Sequence, residues 1–573
     1  MRQTTSSAGL HRWRWVLWVL LLLAATALRL PGPDWDAGIA AHPDERFLLG
    51  VAAAQPLYTN VCTTVAEFPY GHLPVTVGRL LTLTAPGADP LYAARLLAGL
   101  VGVLLVAVAG ACGAALAGWR GGLVALAVAT FAPFLIQAAR FYTVDPFAAL
   151  FVSVAVLAAR RRHWRAAGGL VGLAVACKAS AAVAVLPLLA AALLIGGSSS
   201  DASAEVAEGA HGPRARLRLG MPSARQLVCS AVIVFAAASP WSFLTPVACW
   251  RGPLIQSLLV SGRYEFPYTQ QYAGTLPYVY PLIQMALWGL GPFVAFLAPA
   301  GIVRGLWVGW RGGRRRWADT MAAGWTLLLF VSIGALHVKF SRYMLLLYPW
   351  WIAWAVYFCF GSRRDRSPTW PFTLRGSALA RSVTVALLVG GTAFLGLAQA
   401  SIYAQPHPWA AASDWLYEHL PPGAVITVEA WDHPLPVPRG ADDVARFTQV
   451  TLPLFEEDDQ HKAQALTGAL TDAEVIVVAS RRSYGALARY PERYAETLAW
   501  YSALFAAREA VVFARCPRLG PLAITDDPLA DAGLSHPLSL AQRCGTRYAL
   551  RLPRLDESNR VYDAPFVFLF PGE

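Results

Sequence analysis

Charged side chains are scarce in this chain of 573 residues. They make up 14% of it, whereas a soluble globular chain carries about 25%. Hydrophobic residues form 56% of the chain instead, and apolar runs of about 18 residues or more, long enough to cross a bilayer as helices, recur over roughly the first 400 positions. The composition therefore excludes a purely soluble protein and predicts an integral membrane protein.

Three sequence patterns are also missing. No CxxC pair occurs, which argues against a cysteine metal site. No Gly-rich phosphate loop occurs in the polar C-terminal region, and no internal repeat of the transporter type is visible. Four of the eight cysteines lie in or near apolar runs and are expected to be small core residues. The other four fall in segments predicted to lie outside, where disulfides can form and the pairing stays open: Cys62, Cys249, Cys516 and Cys544.

The net charge of +12 comes from arginines clustered in short loops between apolar runs. Such loops mark the cytoplasmic side of a membrane, so no nucleic-acid partner is needed to explain them. The fold predicted is a mainly α, polytopic transmembrane helical bundle of about eleven spans. Its N-terminus is cytoplasmic and its C-terminal domain extracytoplasmic. The spans lie at about 15–30, 91–118, 121–138, 145–159, 166–177, 179–196, 226–246, 281–302, 320–336, 343–360 and 379–398.

Two alternatives to this topology exist. A single broken helix over 168–195 would replace two passes by one and move the last three basic clusters outside, against the positive-inside bias. Those clusters include Arg314-Arg315-Arg316 and Arg363-Arg364. In addition, Ala25-Thr26-Ala27 resembles a signal-peptidase site, although the many later spans favour a retained first helix.

Under this topology a set of polar residues converges on the outer face, close to the ends of the spans. Lysine and arginine bind phosphate there through charge-assisted hydrogen bonds. A sugar on a lipid phosphate already has a good leaving group, so its transfer needs cations for the phosphate and one carboxylate as base for the acceptor hydroxyl. Glycoside hydrolysis would need a second carboxyl group as acid. The set comprises Asp44, Glu45, Arg46, Glu67, His72, Arg140, Tyr142, Asp145, Lys178, Arg251, Arg263, Tyr264, Glu265, His337, Lys339, Arg342 and Tyr343.

Three segments resemble motifs of the GT-C superfamily of lipid-linked-sugar-dependent glycosyltransferases, which includes protein O-mannosyltransferases and the aminoarabinose transferases of lipid A. His42-Pro43-Asp44-Glu45 looks like the Asp-Glu motif of the first external loop. Tyr142-Thr143-Val144-Asp145-Pro146 resembles an internal Asp-Pro motif. Lys339 to Tyr343, followed by Leu345-Leu346-Leu347-Tyr348-Pro349, is similar to a Lys-x-x-x-Tyr-hydrophobic-Pro segment. The resemblance covers roughly residues 12–400.

The resemblance implies roles for these positions. Asp44 would be the general base, with Glu45 supporting the site or contacting substrate. The donor phosphate would be held by Lys339, Arg342 and Tyr343, with Arg140 and Lys178 as further cations. Substrate contact or support is expected from Asp145, Glu67, His72, Arg263 and Tyr264. Some members place metal-binding residues near the positions of Glu67 and His72, and a divalent metal is left open.

Each of these residues also has a structural interpretation. Asp44 and Asp145 are suited to cap helices. Lys339 and Arg342 are placed to snorkel to an interface. Lys178 can neutralise an internal carboxylate, and Arg263 and Tyr264 can be plain loop surface.

The chain divides into a transmembrane catalytic domain, 1–400, and a soluble α/β domain, 401–573. In the second part an amphipathic helix over 407–420, strands at 425–428, 475–479 and 561–569, and a helix over 483–506 are predicted. Trp431-Asp432-His433 follows the first strand, where α/β folds often hold ligands; a turn with a packed Trp is the alternative.

The main hypothesis is a glycosyltransferase that moves a sugar from a polyprenyl-phosphate carrier to an unidentified acceptor on the outer face, with inversion. The partners are then the lipid-linked sugar, the bilayer and the acceptor, which is a protein, a lipid or a glycan. A transporter or flippase of a lipid-linked anion would use the same cations without a base. A catalytically inactive scaffold would tolerate substitution of Asp44 and Glu45.

Overall fold

The structure is a computed structural model that describes residues 5–84, 87, 89–195, 213–312, 317–361, 378–440, 443–507 and 509–572. The helices are α1 Thr5–Arg29, α2 Pro43–Ala54, α3 Val61–Thr64, α4 His72–Thr84, α5 Pro90–Phe131, α6 Pro133–Ala138, α7 Val144–Arg160, α8 Trp164–Cys177, α9 Val185–Ile195, α10 Pro213–Ala238, α11 Trp241–Leu244, α12 Pro246–Val260, α13 Val279–Gln284, α14 Pro292–Gly312, α15 Trp317–Gly334, α16 Tyr348–Phe360, α17 Ala378–Ala400, α18 Pro408–His419, α19 Gln460–Asp472, α20 Arg482–Leu487, α21 Ala495–Ala507, α22 Pro528–Asp531 and α23 Leu540–Arg543. The strands are β1 Val425–Glu429, β2 Thr448–Leu452, β3 Val475–Val478, β4 Val511–Ala514, β5 Arg518–Leu519, β6 Leu522–Thr525, β7 Tyr548–Arg551 and β8 Phe566–Pro571.

The part before residue 400 is helical, and within the described residues six helices are long and apolar enough to cross a membrane. Shorter apolar helices accompany them. Helices occupy every segment for which the sequence predicts a span. The mainly helical, multi-pass character predicted from composition is therefore confirmed. The basic residues Arg314-Arg315-Arg316 and Arg363-Arg364 lie outside the described residues.

Helix α5 is a hairpin of two helical segments. Gly118 has φ 74° and ψ −173°, a conformation that breaks the helix and that glycine adopts without strain. A Cβ added to Gly113 would lie 2.5 Å from the Cβ of Ala125. Twelve residues of straight helix would separate these two positions by about 18 Å. The chain therefore reverses at Gly118, where the sequence predicts one span ending at 118 and another beginning at 121.

The chain also reverses direction around Lys178. Helix α8 ends at Cys177, Lys178 is extended (φ −151°, ψ 119°), and a 3-10 turn leads into α9. Glycines at the contacts with α10 report the directions of the helices. Gly168 of α8 lies against Leu227, and Gly220 of α10 lies against Leu193 of α9. Helices α8 and α10 thus run parallel while α9 runs opposite to both, which is the arrangement that two passes require.

The first helix packs closely in the bundle. The Arg29 guanidinium at its end donates to the carbonyl oxygens of Thr130 and Ala129 at 3.0 and 2.9 Å. In the middle of the helix Trp18 lies against Gly110, and at its end Arg29 and Leu30 lie against Gly99. Helix α1 therefore runs antiparallel to the first segment of α5. The end of the bundle that carries Arg29 is the end at which the polar loops converge.

A mixed α/β layer follows the last long helix. Its main sheet has the order β2-β1-β3-β8-β4, in which β1 pairs parallel with β2 and β3, while β8 runs antiparallel to both its neighbours. A second sheet has the order β5-β6-β7. The predicted strands at 425–428 and 475–479 correspond to β1 and β3. The predicted strand at 561–569 begins only at Phe566.

The segment before β8 joins this layer to the helices. The Asp556 carboxylate accepts hydrogen bonds from the hydroxyls of Tyr272 and Tyr280, both at 2.9 Å. Gln271 donates to Glu557 at 2.6 Å, and Tyr403 donates to Asp563 at 2.8 Å. Because Asp556, Glu557 and Asp563 are buried, these bonds fix the α/β layer firmly on the polar end of the bundle.

Candidate active site

Asp44 lies in the first turn of α2, and the local sequence explains why the helix begins there. Pro43 occupies the first helical position, where its missing N–H is no loss. The ring of His42 caps the helix, since its Nδ1 accepts a hydrogen bond from the Asp44 backbone N–H at 3.1 Å. The aspartate thus contributes a backbone donor to the cap and keeps its carboxylate free for other contacts.

Glu45, the next residue, points into the protein and is fully buried. Its carboxylate accepts from the Arg95 guanidinium at 2.7 Å and from the Tyr142 backbone N–H at 2.8 Å. Arg95 also donates to both carboxylate oxygens of Asp36 at 2.7 Å. This buried triad of Asp36, Glu45 and Arg95 fixes α2 against α5 and the start of α7. The geometry gives Glu45 a supporting position, one of the two roles predicted for it.

A cavity of about 530 Å³ opens beside Asp44, within the usual size range of a small-molecule site. One end is polar and carries Asp44, Asp145, Lys178, Arg342 and Tyr343. Much of the remaining wall is apolar and is formed by residues of α12 and α15 and by their neighbours, although Gln256, Ser257 and Ser332 also line it. Those apolar residues are Val183, Leu259, Val260, Leu329, Ile333, Leu336 and Leu346. The cavity therefore combines charged groups with a largely apolar wall.

Two ion pairs occupy the polar end. Arg342 pairs with Asp44, and the two side chains retain 22% and 13% of their exposed surface. Lys178 pairs with Asp145 at 2.5 Å and lies 4.5 Å from the centre of the Tyr343 ring. The Nε of Arg342 is buried without a hydrogen-bond partner. Because the Arg342 side chain also keeps 22% of its surface exposed, part of the guanidinium is open to an anion in the cavity.

The surroundings of Asp44 keep its carboxylate ionised. Burial alone would raise the pKa of the Asp44 carboxyl, but the Arg342 guanidinium, together with His42, Tyr70 and Lys178, outweighs it and holds the pKa below its ordinary value. The Tyr70 hydroxyl adds a hydrogen bond to the carboxylate. Burial, and then the charge of Asp44, raise the pKa of Tyr70 well above its ordinary value, so Tyr70 stays a donor.

The loop that carries Tyr70 is held in place by a close approach. Gly71 donates its backbone N–H to the Cys177 carbonyl at 3.0 Å. A Cβ on Gly71 would lie 1.9 Å from the Ala176 carbonyl oxygen, so only glycine fits. The contact brings Tyr70 from one loop and Lys178 from another to the same cavity.

Several residues predicted for the site have other partners. Lys339 is not among the described residues that line the cavity, and it donates to the Thr275 hydroxyl and the His337 carbonyl, both at 3.0 Å. Arg140 is buried and donates to the Leu28 carbonyl at 2.8 Å. Because both cations already bond to neutral oxygens away from the cavity, this geometry does not support their assignment to the donor phosphate.

Three further predicted residues lie outside the lining of the cavity. Glu67 pairs with Arg251 at 3.2 Å on an exposed surface. Arg263 and Tyr264 follow α12, where both backbone N–H groups bond to the Leu258 carbonyl. They are not among the described residues that line the cavity. Tyr264 is largely exposed, with its ring 5.1 Å from that of Phe266.

His72 belongs to a separate cluster. Its Nε2 is 3.4 Å from the sulfur of Cys62, and its Nδ1 is buried without a partner. Cys62, His72 and Cys249 have ligand atoms close enough to hold a metal ion together. Cys62 and Cys249, however, form a disulfide, which leaves neither sulfur as a thiolate ligand. The second disulfide joins Cys516 and Cys544.

The overall arrangement matches solved membrane-protein structures. The archaeal oligosaccharyltransferase AglB from Archaeoglobus fulgidus, solved with an inhibitory peptide and a dolichol-phosphate, superposes with a TM-score of 0.50. The two chains are 14% identical, and the match covers 86% of this chain and 72% of that one. This chain has the GT-C glycosyltransferase fold.

Other comparisons complete the picture. ArnT from Cupriavidus metallidurans, solved with undecaprenyl phosphate, is 18% identical and has a TM-score of 0.44. That match covers 87% of this chain and 96% of the other. No protein-family model and no curated protein sequence matches the chain. The superposition on AglB confirms the GT-C fold predicted from three short motifs.

On this GT-C fold the structure adds residues that the sequence analysis missed. Tyr70 and Tyr268 line the cavity, and neither is marked by any local pattern. Arg95 was detectable, because an arginine inside an apolar run needs a buried carboxylate partner. What the assembled site can do follows from its parts: it can hold an anion against two cations and place one carboxylate beside it.

Proposed function

We propose that this protein is an integral membrane glycosyltransferase that takes a sugar from a polyprenyl-phosphate donor and transfers it to an acceptor hydroxyl. Asp44 is the general base. The observation that carries the proposal is the Asp44–Arg342 ion pair at the polar end of a cavity whose remaining wall is largely apolar. A transferase of this kind needs one base, one phosphate site and a path for a lipid tail, and the cavity combines all three.

The donor fits the two ends of the cavity. Its phosphate lies between Arg342, whose Nε is unpaired, and Lys178. Its polyprenyl tail follows the apolar residues of α12 and α15, such as Leu259 and Leu329. Arginine and lysine are the side chains that bind phosphate through charged hydrogen bonds, and no protonation of the leaving phosphate is required.

Donor binding activates the base. The phosphate competes with the Asp44 carboxylate for the Arg342 guanidinium, so the ion pair that lowers the pKa of Asp44 weakens. Asp44 then becomes a stronger base when the sugar arrives. The acceptor oxygen forms a bond to the anomeric carbon as its proton passes to Asp44. The bond from that carbon to the phosphate oxygen breaks, and polyprenyl phosphate leaves as an anion.

The reaction inverts the anomeric carbon. A retaining transfer would need a second carboxylate placed as nucleophile. Among the described residues that line the cavity, the other carboxylate is Asp145, which is bound to Lys178. A single displacement with one base fits this arrangement.

The site faces the extracytoplasmic side in this proposal. The disulfides Cys62–Cys249 and Cys516–Cys544 lie in the loops and the α/β layer at the polar end of the bundle. Disulfides persist in oxidising compartments. Residues 1–400 then form the catalytic membrane domain with a cytoplasmic N-terminus, and 401–573 cover the site from outside.

The test uses full-length protein in lipid nanodiscs with a labelled undecaprenyl-phosphate sugar and a mixture of candidate acceptors. Wild type should release undecaprenyl phosphate and form a new glycoside, whereas Asp44→Asn should bind donor and form none. Glu418→Gln, an exposed carboxylate on α18, is the matched control. In proteoliposomes, movement of intact donor across the bilayer without glycoside formation would instead identify a flippase and refute the proposal.

A further inference from the structure

The turn Trp431-Asp432-His433 reaches from the α/β layer to the helix of the proposed base. It follows β1, at the end of parallel strands where α/β folds hold ligands. His433 Nε2 accepts a hydrogen bond from the Arg46 guanidinium at 2.8 Å. Arg46 lies on α2, two residues after Asp44. The turn is therefore tied to the helix that carries Asp44, and the Trp431 ring contacts Tyr268, which lines the cavity.

Trp431 is held in a conformation that large side chains avoid. Its φ is 69°, in the left-handed region, and its indole is 51% exposed. Arg482 donates to the Trp431 carbonyl at 3.0 Å, and Ser480 donates to the Asp432 carboxylate at 2.5 Å. Strain of this kind persists where neighbouring contacts enforce it, which is typical of functional sites. Here it keeps an indole face open to solvent.

A continuous set of rings connects Trp431 with the cavity. The Trp431 ring lies 5.9 Å from that of Phe266 and 6.2 Å from that of Tyr268. Tyr268 lies 6.5 Å from Phe340, and both line the cavity beside Asp44. The rings therefore link the exposed indole to the cavity that contains Asp44.

The guanidinium of Arg46 has no carboxylate partner among the described residues. Its side chain is exposed, and within the part of the chain that the structure describes it forms no ion pair with a carboxylate. Its partner, His433, is neutral near pH 7 because burial, and then the charge of Arg46, lower the pKa of the imidazole to about 4. The neighbouring Arg482 is already paired with Glu557 at 2.8 Å. The positive charge that remains unpaired on this surface is therefore that of Arg46.

We propose that Trp431, Tyr268 and Arg46 form the acceptor subsite, and that the acceptor is a carbohydrate bearing a carboxylate or phosphate. A sugar ring lies on the indole, its anionic group binds Arg46, and a hydroxyl points to Asp44. This inference rests on the proposed function. An apolar pyranose face suits exposed aromatic rings, and a free guanidinium suits an anion.

The backbone of the turn favours a sugar over a peptide. An extended peptide binds by adding main-chain hydrogen bonds to a free edge. In this turn the Trp431 carbonyl is bonded to Arg482, the Asp432 N–H to the Glu429 carbonyl, and the His433 N–H to the Asp432 carboxylate. Three of the six backbone groups of the turn are therefore occupied, and the main exposed side chains at this surface are an indole and a guanidinium.

The experiment measures binding by saturation-transfer NMR on the full-length protein in nanodiscs. The probes are a glucuronic-acid-containing oligosaccharide, a phosphorylated oligosaccharide, a neutral N-acetylglucosamine oligomer of equal length and a Ser/Thr-rich peptide. The charged sugars should bind, with saturation strongest at ring C–H protons. Trp431→Ala and Arg46→Met should each weaken that binding about tenfold or more, the loss of roughly one charged hydrogen bond or stacking contact. Trp310→Ala and Arg120→Met, exposed residues elsewhere, should leave it unchanged.

A second measurement separates this inference from the function on which it rests. Undecaprenyl phosphate binding should survive in Trp431→Ala and Trp431→Phe, which also reports that both variants fold, and Trp431→Phe should keep part of the sugar affinity. Binding of the peptide alone, or charged-sugar binding that ignores Trp431 and Arg46, overturns the subsite. If the wild type did not bind undecaprenyl phosphate, the proposed donor would be contradicted instead.

Discussion

Two adjacent carboxylates should respond to the same conservative change in opposite ways. Asp44 lies in the cavity with 13% of its side-chain surface exposed, and its partner Arg342 retains 22%. Glu45 is fully buried and holds both the Arg95 guanidinium and the Tyr142 N–H. Asp44→Asn should therefore abolish activity with little loss of stability. Glu45→Gln should lower the stability, and it should reduce activity only indirectly, because α2 shifts.

The magnitude follows from the burial of the triad. Breaking a buried ion pair from one side costs about 3–5 kcal/mol. If all 573 residues unfold as one unit, an unfolding entropy of about 2 cal/mol/K per residue turns this into a Tm decrease of roughly 3–4 °C. A smaller cooperative unit gives a larger decrease. Asp44→Asn removes a partly exposed pair worth about 1 kcal/mol or less, below roughly 1 °C.

The assay is thermal unfolding in nanodiscs, followed by intrinsic fluorescence, together with sugar transfer on the same samples. Glu418→Gln, on the exposed face of α18, controls for the change of charge. If Glu45→Gln matched the wild-type Tm while losing all transfer, Glu45 would contact substrate and the supporting role derived from the triad would be refuted.

Three further predictions concern the cavity and the bundle. Arg342 lowers the pKa of Asp44, so wild-type activity, which needs the ionised carboxylate, should fall only at low pH. Arg342→Gln should shift the acid limb of the pH–kcat/KM profile to higher pH by about one unit or more. An acid limb at the wild-type pH would contradict the pairing. Lys178→Met should raise the KM for the lipid-linked donor about tenfold or more while Lys178→Arg keeps most of the affinity, with equal KM values in both variants counting against a phosphate contact. Gly396→Ala should lower the Tm because its Cβ would lie 1.7 Å from a backbone carbonyl oxygen of α5, whereas Gly390→Ala on the same helix meets nothing within 4 Å and should not; similar Tm values would refute the close packing.

The helical part was predictable because its signal is physical and local. An apolar run of sufficient length has one stable state in a bilayer, and α7, α8, α15 and α17 lie where such runs occur. The reversal at Lys178 was also predictable. Two passes around Lys178 keep the later basic loops on the cytoplasmic side, whereas one pass would move them outside. The reversal at Gly118 was predictable as well, because the apolar spans 91–118 and 121–138 meet there beside the basic Arg120.

The site was predictable to the level of motifs but not of contacts. Asp44 and Arg342 were both expected, yet nothing in the sequence distinguishes Arg342 from Lys339, three residues before it. The difference arises because Ser341–Leu347 forms a 3-10 turn, in which residues three apart share a face. Tyr343 and Leu346 thereby line the cavity, whereas Lys339 precedes the turn.

The α/β layer was predictable in part. Strands β1 and β3 are short, continuous apolar runs and were expected. Strand β8 begins later than expected because 556–563, although partly apolar, binds the helices through Asp556 and Asp563. Such a choice between sheet and interface depends on residues hundreds of positions away, and no local pattern contains it.

The 556–563 segment has a consequence for how the protein is made. The membrane helices are synthesised long before these residues. The hydroxyls of Tyr272 and Tyr280 therefore lack their partner, the Asp556 carboxylate, until nearly the whole chain has been translated. The newborn bundle is incomplete at its polar end for most of translation. A chain truncated before Asp556 cannot form these hydrogen bonds, so its polar end should stay incompletely covered. We expect such a chain to be a substrate for membrane quality-control proteases.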